Sequence, residues 1–290
     1  MPKLSKLVFA KTYDFGIMIK NKLNHVIEDY YVAKDDIFCV ADGITRERID
    51  GKELAYPQTV EEAIDINNNY PNPSGAYKAA KVFSDAFICE MEKQELYNRN
   101  IIMNCVEIAN REVERINAGR KIDYGIEDYY ACVAAGGVIK NGVLYCFTIG
   151  DCKIKIIDDE YNVLFDTTIK DINTLDQKIK KPFKYSKIDN DNWNWSNIEY
   201  RKYYRKKYRN NAIRKLFNKS AFGALTGEKS ALKFVNIFIV PISDKAHYIL
   251  AYSDGCDSFM QDSLSLESVI NNPDIMEEEK HEKTLLIYKK

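Results

Sequence analysis

The chain has 290 residues, 46% of them hydrophobic, enough for a large buried core in one big domain or two small ones. A formal net charge of −1 gives no bulk electrostatic footing for nucleic acid or a membrane, so any charge-based contact has to be local. No apolar run nears the roughly 20 residues of a spanning helix, and the seven cysteines (Cys39, Cys89, Cys105, Cys132, Cys146, Cys152 and Cys256) sit mostly in apolar runs without zinc-ligand spacing, which predicts reduced core thiols in a soluble, cytoplasmic protein.

Residues 7–19 read as paired strands, with Val8, Phe9, Phe15, Ile17 and Ile19 as the apolar positions. The acidic pair Glu28-Asp29 stands directly before Tyr30-Tyr31-Val32, at the head of the next strand. Ile37, Phe38, Cys39, Val40 and Ala41 form an apolar run of buried-strand length that ends abruptly in Asp42-Gly43. A carboxylate followed by glycine at a strand end suits a hard divalent cation, which prefers oxygen ligands and which a backbone carbonyl can approach where no side chain obstructs it. Asp-Gly also marks ordinary turns, and for one such pair alone that is the better reading.

Residues 44–73 are polar and loop-like, interrupted by Pro57, Pro71 and Pro73. A helix is predicted from Ser74 as N-cap, with Ala76, Ala79, Ala80, Phe83, Phe87 and Met91 on one face, and a second carries Ile102, Cys105, Val106, Ala109, Val113 and Ile116, with Gly119 as its stop. Both stripes read as core, a helical layer packed across a sheet. Strands resume at residues 131–135 and 137–139, and Asn141-Gly142 is a hairpin turn into residues 143–149. That strand ends in Gly150-Asp151, a third aspartate at a strand junction, before Ile154, Ile156 and Ile157 continue the sheet.

A basic segment occupies residues 166–222, with Trp193, Trp195 and the run Arg201, Lys202, Arg205, Lys206, Lys207 and Arg209 interleaved with Tyr200, Tyr203, Tyr204 and Tyr208. Two readings stand side by side: a cradle for phosphate or nucleic acid, or a solvated face. An apolar strand follows at residues 235–240, and the next, at 248–253, ends in Asp254-Gly255. If this strand and the Asp42 strand are neighbours in one sheet, the two carboxylates converge. The repetition, with Glu28-Asp29 upstream, shifts the balance from turns to a metal site. A short helix after Ser258 and a strand at 284–288 complete the order.

Taken together, Glu28-Asp29, VADGIT at 40–45, TIGDC at 148–152, ALTGE at 224–228, SDGCDSFM at 253–260 and HEKTLLIY at 281–288 resemble, in order and spacing, the metal-dependent protein serine/threonine phosphatases of type 2C in their bacterial or archaeal-like form. The resemblance covers nearly the whole chain. It implies a single α+β domain over residues 1–290, a four-layer α-β-β-α sandwich of two antiparallel sheets flanked by helices, with the basic insertion as a variable flap beside the active site. It further implies two magnesium or manganese ions and allows a third, weaker one. Asp42 would bridge both ions, Glu28 and the Gly43 carbonyl would serve one and Asp254 the other. Asp29 would be a neighbouring carboxylate, and Asp151 would help hold the weaker ion. The implied activity is hydrolysis of phosphoserine or phosphothreonine on a protein in signalling, by a metal-activated water and without a protein nucleophile.

The sequence departs from the family pattern in three places. The arginine usually found four residues before the Glu28 position is Asn24 here, which leaves Lys22, His25, Arg201, Arg205 and Arg209 as candidates for gripping phosphate. The final metal aspartate aligns with His281, followed by Glu282, so the last ligand is an imidazole, a carboxylate shifted by one residue, or lost; imidazole suits manganese, iron or zinc better than magnesium. Ile44 stands where eukaryotic members carry a histidine. Two alternatives therefore stay open, a catalytically impaired phosphatase-like binding domain and a phosphatase of a small phosphorylated molecule.

Overall fold

The computed structural model describes residues 6–13, 27–44, 48–49, 52–53, 61, 68–124, 127–168, 198–217, 220–278 and 282–290. Its strands in chain order are β1 (Lys6–Tyr13), β2 (Tyr30–Lys34), β3 (Ile37–Gly43), β4 (Arg48–Ile49), β5 (Lys52–Glu53), β6 (Cys132–Lys140), β7 (Val143–Ile149), β8 (Lys153–Asp158), β9 (Val163–Asp166), β10 (Asn236–Pro241), β11 (Ala246–Tyr252) and β12 (Lys283–Lys289). The helices are α1 (Gly75–Glu92), α2 (Arg99–Asn117), α3 (Ile198–Tyr208), α4 (Ala212–Leu216) and α5 (Ser263–Asn271). One five-stranded sheet has the order β1-β12-β11-β8-β9 and the other β10-β7-β6-β3-β2, with every pairing antiparallel; β4 and β5 form a small ribbon.

Strand alternation builds the layers. In β3, Phe38 and Val40 face the gap between the sheets, whereas Ile37, Cys39 and Ala41 face α1 and α2. In β11 and β12, Ile249, Ala251, Leu286 and Tyr288 point into the gap, while Leu250, Tyr252, Leu285 and Ile287 pack under α5 and its neighbouring turns. Both faces are buried, so these strands read as continuous apolar runs rather than alternating ones. Three apolar interfaces between four layers result, the α-β-β-α sandwich expected from the sequence. Fully burying each large apolar side chain here contributes about 1.5–3 kcal/mol.

Local signals placed the helices. Ser74 caps α1, its Oγ accepting from the Tyr77 amide at 3.1 Å, and Asn98 caps α2 by accepting from Asn100 and Ile101 at 2.9 and 3.0 Å. The apolar stripes of both helices pack on the second sheet, with Phe83 and Phe87 against Phe147. Asn141 (φ 52°) and Gly142 (φ 74°) form the β6–β7 hairpin with both central residues left-handed, the geometry that an Asn-Gly pair favours.

β1 lies against β12, from Lys6 opposite Lys289 to Tyr13 opposite Lys283, and the strand expected to pair with it, around Phe15, Ile17 and Ile19, lies outside the described residues. One expectation needs correction. The Asp42 and Asp254 strands are not neighbours in one sheet, because β3 belongs to the second sheet and β11 to the first. Face-to-face stacking of the sheets does what in-sheet pairing was expected to do.

Candidate metal centre

One end of the sandwich collects carboxylates from five chain segments. β2 pairs with β3, Tyr30 opposite Ala41, which sets Glu28 and Asp29 beside the Asp42 end of β3. Asp151 lies where the chain passes from β7 in the second sheet to β8 in the first. Asp254 follows β11, and Glu282 precedes its antiparallel neighbour β12, where Tyr252 lies opposite Leu285.

Neither glycine of the two Asp-Gly pairs has a positive φ among the backbone angles of this kind, so turn geometry is not why glycine is there. Close approach is. A Cβ on Gly43 would stand 2.7 Å from the Glu28 carbonyl oxygen and 2.7 Å from the Ala76 carbonyl carbon, and one on Gly255 would stand 1.9 Å from the Glu282 carbonyl oxygen. Gly43 thus lets the first turn of α1 and the acidic pair close on Asp42, which brings a positive helix N-terminus to an acidic site. Gly255 does the same for the β11 and β12 ends.

Hydrogen bonds fix the acidic pair. Glu282 Oε1 accepts from the Glu28 amide at 2.5 Å and the Asp29 amide at 2.6 Å. Ser253 Oγ donates to Asp29 Oδ2 at 2.7 Å while accepting from the Thr284 amide at 2.8 Å. Tyr70, from the segment expected to be loop-like, donates its hydroxyl to Glu28 Oε1 at 2.7 Å.

The electrostatics are those of uncompensated like charges. Burial pushes the Asp42 carboxyl well above its ordinary value, and Asp29, Asp254, Asp151 and Glu282 push it further. Burial raises Asp29 to about 7 despite the hydrogen bonds from Ser253 and Thr284, with Asp254 adding to the rise. Asp151 is likewise raised to about 7 by burial and by Asp254, against a smaller pull from Lys153, which is itself paired with Asp257. Burial and Asp29 hold Glu282 well above the usual carboxylate range. Cys152 and Cys256 are buried beside this cluster with thiols pushed far up by burial first, so neither offers a thiolate nucleophile.

An all-oxygen, anionic donor set of this kind fits hard divalent cations, which would offset the mutual repulsion of the carboxylates. Among the described residues, no three or more His, Cys, Asp or Glu side chains are grouped tightly enough to hold an ion as they stand; the carboxylates share a field without forming a closed cage.

The candidates for gripping phosphate fare differently. Arg205 pairs with Asp128 and is buried, as is Arg209, whose Nη2 lies 2.5 Å from Asp128 Oδ1. Arg209 also faces the Tyr124 and Tyr129 rings at 5.3 and 5.7 Å. Both arginines are buried and committed to Asp128, so neither belongs to a solvated face, and together they clip α3 to the segment leading into β6. Lys22, His25 and His281 lie outside the described residues, as does the side chain of Arg201 in α3. Asp128, Tyr70 and the role of Ser253 were not read from the sequence. Ser253 stood inside the SDGCDSFM match, whereas Asp128 and Tyr70 carried no periodic or motif signal.

The fold is shared with solved phosphatases. The Mycobacterium tuberculosis serine/threonine phosphatase PstP/Ppp matches with a TM-score of 0.56 at 13% identity, over 99% of both chains. The catalytic domain of PstP in complex with two manganese ions matches with a TM-score of 0.53 at 11% identity, again over 99% of both chains. PppA, a key regulatory component of T6SS in Pseudomonas aeruginosa, matches with a TM-score of 0.52 at 8% identity, over 98% of this chain and 97% of that one. No family profile matches the sequence. No curated protein matches it either. At these identities the likeness establishes the fold, that of serine/threonine phosphatases.

Proposed function

We propose that this chain is a metal-dependent phosphoric monoester hydrolase that removes phosphate from phosphoserine or phosphothreonine on proteins. The observation that carries this reading is the crowding of Asp29, Asp151, Asp254 and Glu282 around Asp42 at one end of a phosphatase fold. In this reading Asp42, Glu28, the Gly43 carbonyl and Asp254 would hold two ions, Asp151 would serve a third, weaker one, and His281 or Glu282 would complete the set. Manganese or magnesium, when bound, supplies Lewis-acid charge that activates water and offsets the charge of an in-line displacement at phosphorus.

This chain's own residues do the rest. The Ser253 and Glu282 hydrogen bonds hold Asp29 and the backbone of the acidic pair in place, so the site is set before substrate arrives. The thiols of Cys152 and Cys256 are buried and held protonated, so neither serves as a nucleophile, in keeping with direct attack by water. Arg205 and Arg209 are committed to Asp128, so the phosphate grip falls to Lys22, His25 or Arg201. Seven free cysteines, six of them buried, support a reducing, cytoplasmic setting, and no helix among the described residues is long and apolar enough to cross a membrane.

The test is hydrolysis of a phosphothreonine peptide and of p-nitrophenyl phosphate by metal-stripped protein, as manganese or magnesium is added to millimolar levels. Turnover of both substrates that depends on added metal is expected. Turnover of the small phosphate without the peptide would move the substrate to a small molecule, and a folded protein inert towards both would make it a binding domain.

A further inference from the structure

Tyr70 stands apart from the other residues that touch the acidic cluster. It lies outside every segment that carries the family resemblance, yet only 7% of it is exposed and its hydroxyl lies 2.7 Å from Glu28 Oε1. Glu28 is itself 6% exposed. A hydroxyl donating to an ionised carboxylate is short and roughly twice as strong as a neutral pair, and 2.7 Å lies at the edge of the range for such bonds. The contact bridges 42 residues of sequence, so nothing local imposes it. At the other end of Glu28, its amide donates to Glu282 Oε1 at 2.5 Å. Backbone and carboxylate are therefore both held, the first by the β12 entry and the second by Tyr70.

We propose that Tyr70 is a positioning residue for a metal ligand: it occupies one oxygen of the Glu28 carboxylate and so turns the other towards the ion site. The proposal rests on the metal-dependent reading given above. Partners of this kind, placed behind a ligand, orient it and raise its effective affinity, and their loss costs about tenfold or more in metal binding. Phenylalanine at this position keeps the ring and its packing and deletes only the donor.

The experiment is a manganese titration of the full chain by calorimetry for wild type, Tyr70→Phe, Glu28→Ala and the double variant, with thermal unfolding of each metal-free protein alongside. Tyr70→Phe is expected to weaken manganese binding at the Glu28 site about tenfold and to leave the metal-free protein folded, its unfolding midpoint lowered by no more than about 5 °C. In the Glu28→Ala background the same change is expected to have less than about a twofold effect, because the hydroxyl then has no carboxylate to hold. Wild-type affinity in Tyr70→Phe would overturn the proposal while leaving the metal-dependent reading intact. So would a tenfold loss that persists in the Glu28→Ala background. Failure of wild type to bind manganese at all would overturn both, and is the outcome that tells the two failures apart.

Discussion

Asp42 and Asp128 are two enclosed carboxylates that the fold treats in opposite ways. Burial disfavours the charge of each. Around Asp128 that effect is outweighed by Arg209 and Arg205, and its carboxyl is held below the usual range. Around Asp42 the next contributors after burial are four more carboxylates, and its carboxyl is driven well above that range. Opposite company separates a clip from a site: Asp128 spends its charge inside the protein, whereas Asp42 can carry its charge readily only when a cation from outside offsets it.

The largest expected effect follows from removing that charge. Asp42→Asn and Asp254→Asn should each lower metal-dependent hydrolysis by about a hundredfold to a thousandfold. The metal-free protein should meanwhile become more stable, because a repelling group has gone. Steady-state kinetics and thermal unfolding of the same preparations check both halves. Near-normal turnover in either variant would mean that the site lies elsewhere.

At Asp128 the sign reverses. Asp128→Ala leaves two guanidinium groups enclosed without their partner, and breaking a buried pair in this way costs about 3–5 kcal/mol. Denaturant unfolding should show that loss. Its effect on the Michaelis constant for a phosphopeptide should be small in whatever fraction stays folded, in contrast to a role in gripping phosphate.

The pH dependence of stability sharpens the comparison. Asp29 and Asp151 titrate at about 7 in the folded chain, against about 3.9 when unfolded. Between those values the folded state binds more protons than the unfolded one, so these two groups cost the metal-free protein stability as pH rises from about 4 to about 7, and the raised carboxyls of Asp42 and Glu282 act in the same direction. Asp128, with a lowered carboxyl, contributes in the opposite sense, its stabilisation present at neutral pH and lost in acid. Thermal midpoints across this range should therefore fall towards neutrality without metal and stay level or rise with manganese present. The smallest effect concerns the clip alone: Arg205→Lys keeps the charge but loses the planar fork, at a cost of about 1 kcal/mol in unfolding free energy with catalysis unchanged.

The sequence was most readable where local chemistry decides structure. Ser74, the two apolar stripes and Asn141-Gly142 each carry their own geometry, and the helices and hairpin fall where those residues put them. The carboxylates of the centre were legible one at a time, as strand-end aspartates and an acidic pair. How they meet was not. Asp42 and Asp254 come together across two stacked sheets, and stacking leaves no periodic trace in the chain. Arg205 and Arg209 misled for a related reason, since a basic helix looks alike whether its arginines face water or a buried aspartate 77 and 81 residues away. Tyr70 was hidden in a polar stretch, and its contact with Glu28 depends on tertiary structure.

The most direct test of the central claim, that the crowded carboxylates are there to hold cations, is calorimetric titration of the metal-free protein with manganese near pH 7, repeated in buffers of different ionisation enthalpy. Two ions per chain should bind, with net release of protons as the cations displace those held on Asp29 and Asp151. Asp42→Asn should lose most of that binding. A wild-type protein that takes up no manganese, or that binds it no better than Asp42→Asn and without proton release, would contradict the account.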